Sequence, residues 1–478
     1  MAINTVNKLT SRIQNTKRLT TLSQANFNMT MNRARFSSLN LLAIGCLSLL
    51  TLSSGLANAS PSIQHWTTSN GAQVYFVPAS QLPMVDVRIT FDAGSARDAD
   101  QPGIARLTSS SLEDGVSIDS GDLNADQLAE RFDRLGAQFN TSAHRDMAVI
   151  NLRSLSDPEL LEPAIETAAL ILQRPTFSKE SLERNRSQMQ VALRTRMQSP
   201  SDIASDAFFA SIYAGHPYAS PSHGTQAALA ALTRKNIVDF HQRYYVANNA
   251  VIAIVGALDR EAANALAEKL IGKLPAGKHA QPLAKPAALT ASKTITIDHP
   301  SSQTHVLIGQ PGMSRNDPDY FSLYVGNHVL GGSGLVSRIS EEIREKRGLA
   351  YSAYSYFSPM AVAGPFMIGL QTRNDQVDEA LSVISETINR YIEKGPTKTE
   401  LNSSQKNITG GFPLRLPSNK KIADYLSIIA FYQLPLDYLD SFSGKVEKVT
   451  RKDISAAFQK RLQPQNMVTV RVGGSAQE

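Results

Sequence analysis

The chain has 478 residues, an apolar fraction of 42% and a single cysteine, Cys46, which is the composition of a large globular protein without a disulfide framework. Its formal charge of +6 arises within residues 1–59, because removing their six Lys and Arg leaves 48 − 6 = 42 basic against 42 acidic residues. A neutral remainder gives no support to nucleic acid or an anionic membrane surface as a partner.

The first 59 residues predict a targeting segment. Arg33 and Arg35 are positive, the run from Leu39 to Leu52 is apolar, and Ala57-Asn58-Ala59 is typical of a signal-peptide cleavage site. We therefore expect export to the periplasm with cleavage after Ala59. The apolar run is too short and too close to that site to predict a membrane span, so none is expected in the mature chain. A lipoprotein anchored at Cys46 is the alternative.

The remaining chain predicts one structural unit repeated twice. The Pro- and Ala-rich segment 274–289 indicates a linker between a first domain, residues 60–273, and a second, residues 290–478. On both sides an alternating strand, an amphipathic helix, a Pro-Thr entry to a second helix and a final β-branched strand follow in the same order. The matched segments are 147–155 with 365–372, 163–172 with 377–392, 175–188 with 395–408, and 240–258 with 458–474. The pattern predicts an α+β fold of two tandem homologous domains, each an antiparallel-rich mixed sheet packed by long helices.

Several motifs resemble the pitrilysin/insulinase family of metallopeptidases. They are Asp-Ala-Gly-Ser at 92–95, Gly-Ile-Ala at 103–105, Gly-His-Pro-Tyr at 215–218, FHQRYYVANNAVIAIVG from Phe240, and the segment 344–351. The resemblance covers residues 62–474. It implies a clam-shaped pair of peptidase-like domains.

The zinc motif of that family is missing here. Active members carry His-x-x-Glu-His on the helix after Gly-x-Ala, where residues i and i+4 share one face, so that both imidazoles bind Zn²⁺ and the Glu deprotonates the bound water. Aligned on residues 103–105, this chain has Arg106 and Ser110 at the two His positions and Ser109 at the Glu position. The family's third ligand is a Glu on a later helix, here 178–197, yet residues 184–197 contain no Asp or Glu. We expect no metal ligand and no catalytic residue in this chain.

Other polar residues give little support to a different catalytic centre. His299 and His305 are predicted to flank a turn between strands, and His216 and His223 lie in a loop where His216 has a structural role. His144 and Asp146 are two residues apart on a predicted strand, for which a solvated strand face is the simplest interpretation. The stretch Gly331–Gly334 lacks the Lys-Ser/Thr ending of a phosphate-binding loop and predicts a flexible turn.

The second domain keeps a different motif. Arg344 and Tyr351, seven residues apart, match a family pair that grips the substrate backbone and helps to stabilise the oxyanion. The resemblance therefore implies a substrate-binding role for Arg344 and Tyr351. By charge alone, the run from Glu341 to Arg347 predicts a solvated helix face, so both interpretations remain open.

A chain that keeps the Arg344 and Tyr351 pair but lacks the zinc motif resembles one subunit of a split enzyme. We expect an exported, non-catalytic, substrate-binding subunit of a heteromeric peptide-degrading metallopeptidase, inactive alone and without a cofactor of its own. Its partner would be a zinc-bearing paralogous peptidase subunit, and its substrate a peptide or unfolded polypeptide. The alternative is a non-proteolytic binding or assembly protein of the same fold. An active zinc peptidase with substitute ligands is the least favoured hypothesis.

Overall fold

A computed structural model describes residues 62–474 of the chain, so the predicted signal segment with Cys46 and the Ala59 cleavage site lies outside the described residues. The first half contains a six-stranded sheet in the order β1-β2-β8-β3-β7-β6 and a separate two-stranded hairpin, β4-β5. The strands are β1 (Gln64–Thr67), β2 (Gln73–Pro78), β3 (Met84–Phe91), β4 (Gly115–Ile118), β5 (Gly121–Asn124), β6 (Gln138–Ala143), β7 (Ala148–Leu155) and β8 (Ala250–Gly256).

Eight helices accompany these strands within the described part of the first half. They are α1 (Ile104–Ser111), α2 (Ala125–Arg134), α3 (Pro158–Gln173), α4 (Lys179–Arg196), α5 (Pro200–Ile212), α6 (Gln226–Ala231), α7 (Arg234–Tyr244) and α8 (Arg260–Ile271). Local sequence signals set where several of them begin. Asn124 and Gln127 form a reciprocal capping box at α2, and Pro158 occupies the first turn of α3 after the cap Asp157.

The second half contains a five-stranded sheet in the order β11-β12-β10-β13-β9. Its strands are β9 (Lys293–Ile297), β10 (Gln303–Met313), β11 (Ala350–Phe357), β12 (Gly364–Arg373) and β13 (Val468–Val472). Its helices are α9 (Tyr320–Asn327), α10 (Arg338–Ser340), α11 (Val377–Lys394), α12 (Lys398–Gly411), α13 (Asn419–Phe431), α14 (Tyr438–Glu447) and α15 (Arg451–Arg461), with π-helical turns at His328–Gly332 and Glu341–Glu345.

The predicted duplication is confirmed by the strand orders. Read from the opposite edge, the second sheet is β9-β13-β10-β12-β11, which repeats the order β2-β8-β3-β7-β6 of the first. In each sheet one pair is parallel, β2 with β8 and β9 with β13, and the other pairs are antiparallel. The matched strands of the sequence repeat, β7 with β12 and β8 with β13, therefore occupy equivalent positions.

The two halves exchange one helix each. Helix α5 of the first half packs on β10 and β13 of the second sheet, while α13 of the second half packs on β3 and β8 of the first. The cores are therefore shared, since Phe208 of α5 is buried with Leu307 and Val470. Burial of these apolar faces holds the halves together in one compact unit.

The segment between residues 275 and 292 contains no helix or strand. It is hydrogen-bonded to the first half, because Asn248 and Arg97 donate to the carbonyls of Gly277 and Gln281. Among residues 62–474, no helix combines the length and the apolar character needed to cross a bilayer.

Candidate functional site

Helix α1, where the zinc motif is expected, is fixed at its N-terminus by a buried carboxylate. Asp98 accepts hydrogen bonds from the N–H groups of Gly103 at 2.7 Å and Ala105 at 3.0 Å. Burial raises the pKa of Asp98 to about 7, although those two hydrogen bonds and Arg145 lower it. Gly103 has φ of +97°, and a Cβ there would lie 2.9 Å from the Leu229 side chain, so this position requires glycine.

Of the three zinc-motif positions of α1, two are exposed to solvent and one is buried. Arg106 and Ser110, one turn apart, lie on the exposed face of the helix, where the two imidazoles of an active enzyme would stand. Ser109, at the general-base position, is 2% exposed. Its carbonyl accepts a hydrogen bond from the Thr141 hydroxyl at 2.8 Å, which ties α1 to the edge strand β6. The helix therefore keeps the placement of the motif without its chemistry.

A pocket of about 230 Å³ opens beside Arg106 and Ser110. One face of α4 forms the other wall, with residues that are three or four positions apart, and His223 reaches the pocket from a loop. The α4 residues are Asn185, Gln188, Met189, Ala192 and Leu193. None of the eight lining residues is a carboxylate, and all belong to the first half. The Asn185 amide is already engaged, because it donates to Ser111 Oγ at 3.0 Å and to Asp114 at 2.5 Å.

A catalytic zinc does not fit this donor set. Zinc in proteins is held by imidazole, thiolate or carboxylate ligands, and a guanidinium has no lone pair to offer. The pocket supplies one imidazole, His223, beside the hydroxyl of Ser110. Elsewhere in residues 62–474, no group of three or more His, Cys, Asp or Glu is arranged to hold a metal ion.

The pocket is electropositive. No carboxylate among residues 62–474 forms an ion pair with Arg106, whereas the neighbouring Arg196 is paired with Asp202 at 2.5 Å. Burial, followed by the positive charges of Arg106 and Arg196, lowers the pKa of His223 to about 4. Burial and Arg196 also lower the pKa of Arg106 itself. His223 is therefore neutral at pH 7, and the fixed charge of the pocket is that of Arg106.

The prediction of a solvated strand face for His144 and Asp146 is wrong for Asp146. His144 is exposed, but Asp146 lies in the β6–β7 connection with 5% of its surface exposed. Its carboxylate accepts hydrogen bonds from the Tyr218 hydroxyl at 2.5 Å, the Ala361 N–H at 2.8 Å and the Tyr432 hydroxyl at 3.0 Å. Since Ala361 and Tyr432 belong to the second half, Asp146 joins the two halves.

The predicted positions of His216, His299 and His305 are confirmed. His216 has a structural role, because its ring accepts from the Tyr218 N–H at 3.1 Å and its Nε2 is 2.9 Å from the Ala284 carbonyl. His299 lies in the turn between β9 and β10, with Nε2 3.2 Å from the Gln198 carbonyl, and His305 lies on β10. No local pattern around His223 predicts that it lines the pocket beside α1.

The stretch Gly331–Gly334 is not simply a loop turn. Gly331 lies within the π-helical turn His328–Gly332, which packs on β11, and a Cβ at this position would lie 2.4 Å from the backbone nitrogen of Ser355. Close backbone approach, rather than flexibility, explains the glycine at position 331. Gly334 has φ of +64° with open space around it, which is where the turn occurs.

Arg344 and Tyr351 lie in direct contact. Arg344 lies in the last part of the π-helical turn Glu341–Glu345, Gly348 reverses the chain with φ of +63°, and Tyr351 follows on β11. The guanidinium carbon of Arg344 is 4.6 Å from the centroid of the Tyr351 ring, a cation–π distance. Tyr351 is 82% exposed and lies in a bulge of β11, the edge strand of the second sheet. The substrate-binding role of the pair stays a prediction.

Comparison with known families identifies the fold. Residues 75–226 match the model described as insulinase (peptidase family M16), and residues 231–408 match the model described as peptidase M16 inactive domain. The chain belongs to the peptidase M16 family. A solved M16 inactive domain from Pseudomonas fluorescens is 39% identical with a TM-score of 0.83, over 87% of this chain and 98% of that chain. The structure of a Helicobacter pylori protease, 20% identical with a TM-score of 0.79 over 86% of this chain and 99% of that chain, supports the M16 fold alone.

Some M16 relatives are named zinc proteases, and one is named a non-peptidase homolog. The Bacillus subtilis protein named uncharacterized zinc protease YmxG is 27% identical over 363 residues, 76% of this chain and 86% of its own. The Helicobacter pylori protein named non-peptidase homolog YmxG is also 27% identical, over 383 residues, 78% of this chain and 85% of its own. The inactive-domain match over residues 231–408, the Pseudomonas fluorescens structure and the non-peptidase relative together support a non-catalytic protein of the M16 fold.

Proposed function

We propose that this M16 protein is an exported, non-catalytic subunit that binds peptides and pairs with a zinc-bearing M16 paralogue to form a peptide-degrading enzyme. One observation supports it above the others. The chain keeps the capped helix α1 while replacing its metal-binding face with Arg106 and Ser110, and it retains Arg344 packed on Tyr351. Loss of the metal ligands together with retention of the substrate-gripping pair is the expected pattern for the non-catalytic half of a split enzyme.

The chemistry assigned to the second half is peptide capture. Among residues 62–474, β12 is the one strand paired with β11, which is therefore an edge strand of the second sheet. Asn327 and Gly331 contact the β11 backbone at Ser355, so we place the pairing of an extended peptide at the end of the strand that carries Tyr351. The guanidinium of Arg344 lies against the Tyr351 ring, and its Nε is 3.4 Å from a carboxylate oxygen of Glu345. Its terminal N–H groups are therefore the ones assigned to a peptide carbonyl or to the oxyanion that forms on it. The zinc and the general base come from the partner subunit.

The experiment compares the mature protein alone with the protein mixed with its zinc-bearing paralogue, using a quenched fluorescent peptide. Alone it should hydrolyse nothing, and with the partner it should raise turnover. Arg344→Ala or Tyr351→Phe should reduce that stimulation while the zinc content of the complex is unchanged. Lys346→Ala, on the same exposed helix end, and Tyr356→Phe, on the same strand, are the matched controls. Chelator-sensitive cleavage by the protein alone, or identical rates for all four variants, contradicts the proposal.

Export is tested separately. Fractionation should recover the protein in the periplasm, and sequencing of its N-terminus should begin at Ser60 if cleavage follows Ala59. A chain that retains its first residues in the cytoplasm contradicts this part of the proposal, and a lipid-modified N-terminal Cys46 would favour the lipoprotein alternative.

A non-proteolytic assembly role is the second candidate, and one contact favours it. The Glu113 carboxylate accepts a hydrogen bond from the Thr141 N–H at 2.7 Å, so the edge of β6 is covered at its centre. An edge closed in this way is protected from pairing with another strand. In an assembly protein, the complex forms but its peptidase rate is the same with Arg344→Ala as with wild type.

A further inference from the structure

The pocket beside α1 has a charged wall and an apolar wall. The charged wall is Arg106, with no carboxylate partner in residues 62–474, and Ser110 lies one turn further along the same helix. The apolar wall is formed by Met189, Ala192 and Leu193 of α4. Two carboxylates that act on lining residues are paired with other arginines. Asp114, which accepts from Asn185, is bonded to Arg184 at 2.5 Å, and Asp202, which acts on His223, is bonded to Arg196 at 2.5 Å. Within the described part of the chain, residues 62–474, no ion pair neutralises the positive charge of Arg106.

We propose that this pocket binds the C-terminal residue of a peptide, with the carboxylate on the Arg106 guanidinium and the aliphatic side chain against α4. The identification of the ligand as a peptide rests on the proposed function, whereas the preference for an anion rests on the pocket alone. The position that binds a metal cation in active M16 enzymes has thus become a site for the opposite charge.

Three features favour a carboxylate carried on an apolar residue. A planar guanidinium fork matches the two oxygens of a carboxylate and binds them in a bidentate manner. The volume of about 230 Å³ is far larger than a single ion needs, since one water occupies about 30 Å³, and it accommodates a whole terminal residue. Of the α4 residues that line the pocket, Met189, Ala192 and Leu193 are apolar, so an inorganic phosphate would leave the space beside these three side chains unfilled.

The lowered pKa of His223 follows from the same arrangement of charges in the pocket. After burial, Arg106 and Arg196 are the largest causes that lower it to about 4, which means that the imidazole avoids a second positive charge in this space. An anion bound to Arg106 would offset this positive charge and so raise the pKa of His223. His223 is therefore a spectroscopic probe for occupancy of the pocket.

The test uses the mature full chain and three fluorescein-labelled hexapeptides. One ends in leucine with a free carboxylate, one is its C-terminal amide, and one is an amide with an internal Glu. Amidation should weaken binding about tenfold or more, the loss expected for a charge-assisted hydrogen-bonded pair. Arg106→Gln should abolish the difference between acid and amide, while Arg194→Gln, an exposed cation of α4 outside the pocket, should preserve it. Arg106-dependent binding of the Glu peptide would assign the site to acidic side chains instead of the terminus and would overturn the proposal as stated.

A second measurement separates failure of this inference from failure of the peptide-binding function. N-acetyl-leucine, but not N-acetyl-leucinamide or inorganic phosphate at equal concentration, should shift the imidazole resonances of His223, identified with His223→Gln. If peptides bind but acid and amide are equal, the proposed function survives and the carboxylate site is refuted. If no peptide binds and N-acetyl-leucine still shifts His223 in the wild type but not in Arg106→Gln, the carboxylate site survives alone. No shift with N-acetyl-leucine refutes it.

Discussion

The buried carboxylate of Asp146 gives the sharpest stability prediction, because it receives donors from both halves. Tyr432 of α13's C-terminal end donates to it at 3.0 Å, and Tyr218 of the first half donates at 2.5 Å. Burial raises the pKa of both phenols, and Asp146 raises it further, so both remain protonated donors across the whole practical pH range. Tyr432→Phe removes one donor and keeps the ring, which also lies 5.4 Å from the guanidinium carbon of Arg315.

The expected cost of Tyr432→Phe is about 1.5–3 kcal/mol of unfolding free energy, the range for a buried hydrogen bond to a charged acceptor. In this variant the Asp146 carboxylate still accepts hydrogen bonds from Tyr218 and Ala361, so it is not left without donors. Asp146→Asn should cost at least as much, since an amide offers one acceptor oxygen where the carboxylate offers two. Because the two changes share one hydrogen bond, the double variant should show a coupling of about 1–2 kcal/mol.

Urea unfolding of the four proteins in this cycle provides the measurement, because the melting temperature of a folded region of about 400 residues moves by only about 1 °C per kcal/mol. Tyr356→Phe, on the partly exposed surface of β11, is the control and should leave the unfolding free energy within about 0.5 kcal/mol of wild type. A Tyr432→Phe protein as stable as the control, or a coupling near zero, refutes the account of Asp146 as a joint between the halves.

Three further predictions concern the first half. His241 is buried, and burial is the main cause that lowers its pKa to about 4. Because its pKa in the unfolded chain is about 6.5, the unfolded state binds a proton first as the pH falls below about 6.5. The free energy of unfolding should therefore drop by up to about 3 kcal/mol as the pH falls from about 6.5 toward 4. His241→Phe should therefore flatten the decline of urea midpoints between pH 7 and pH 4.5. Gly103→Ala should cost about 1–3 kcal/mol through the positive φ of +97° and contact with Leu229, measured by the same unfolding assay. Glu113→Ala should speed hydrogen exchange of the Thr141 amide by about tenfold, while amides of the central strand β3 keep their protection.

The repeated architecture was predictable from the sequence because each half carries its own local signals in the same order. The β-branched run of β8 and its counterpart β13 predict buried strands, and capping residues such as Thr397 with Glu400 predict where a helix begins. These signals act over a few residues, so they can be found without knowing the tertiary structure. The loss of the zinc ligands was predictable for a related reason, since the His-x-x-Glu-His spacing belongs to a single helix.

Contacts between distant segments could not be predicted in the same way. Asp146 pairs with Tyr432 across 286 positions, and nothing near either residue marks the other as a partner. His223 reaches the pocket from a loop, so its distance in sequence from Arg106 carries no periodic signal. The exchange of α5 and α13 between the sheets is likewise invisible to local patterns, because an amphipathic helix shows only that it packs and not on which sheet.

Zinc content is the most direct test of the central claim that the α1 face holds no catalytic metal. The mature protein, loaded with zinc and dialysed against a weak chelator, should contain far less than one zinc per chain. The triple variant Arg106→His, Ser110→His and Ala192→Glu places two imidazoles one turn apart and a carboxylate on the facing wall, and it should gain about one zinc per chain. A wild-type protein that retains one tightly bound zinc, and loses it on Arg106→Gln or Ser110→Ala, would contradict the account.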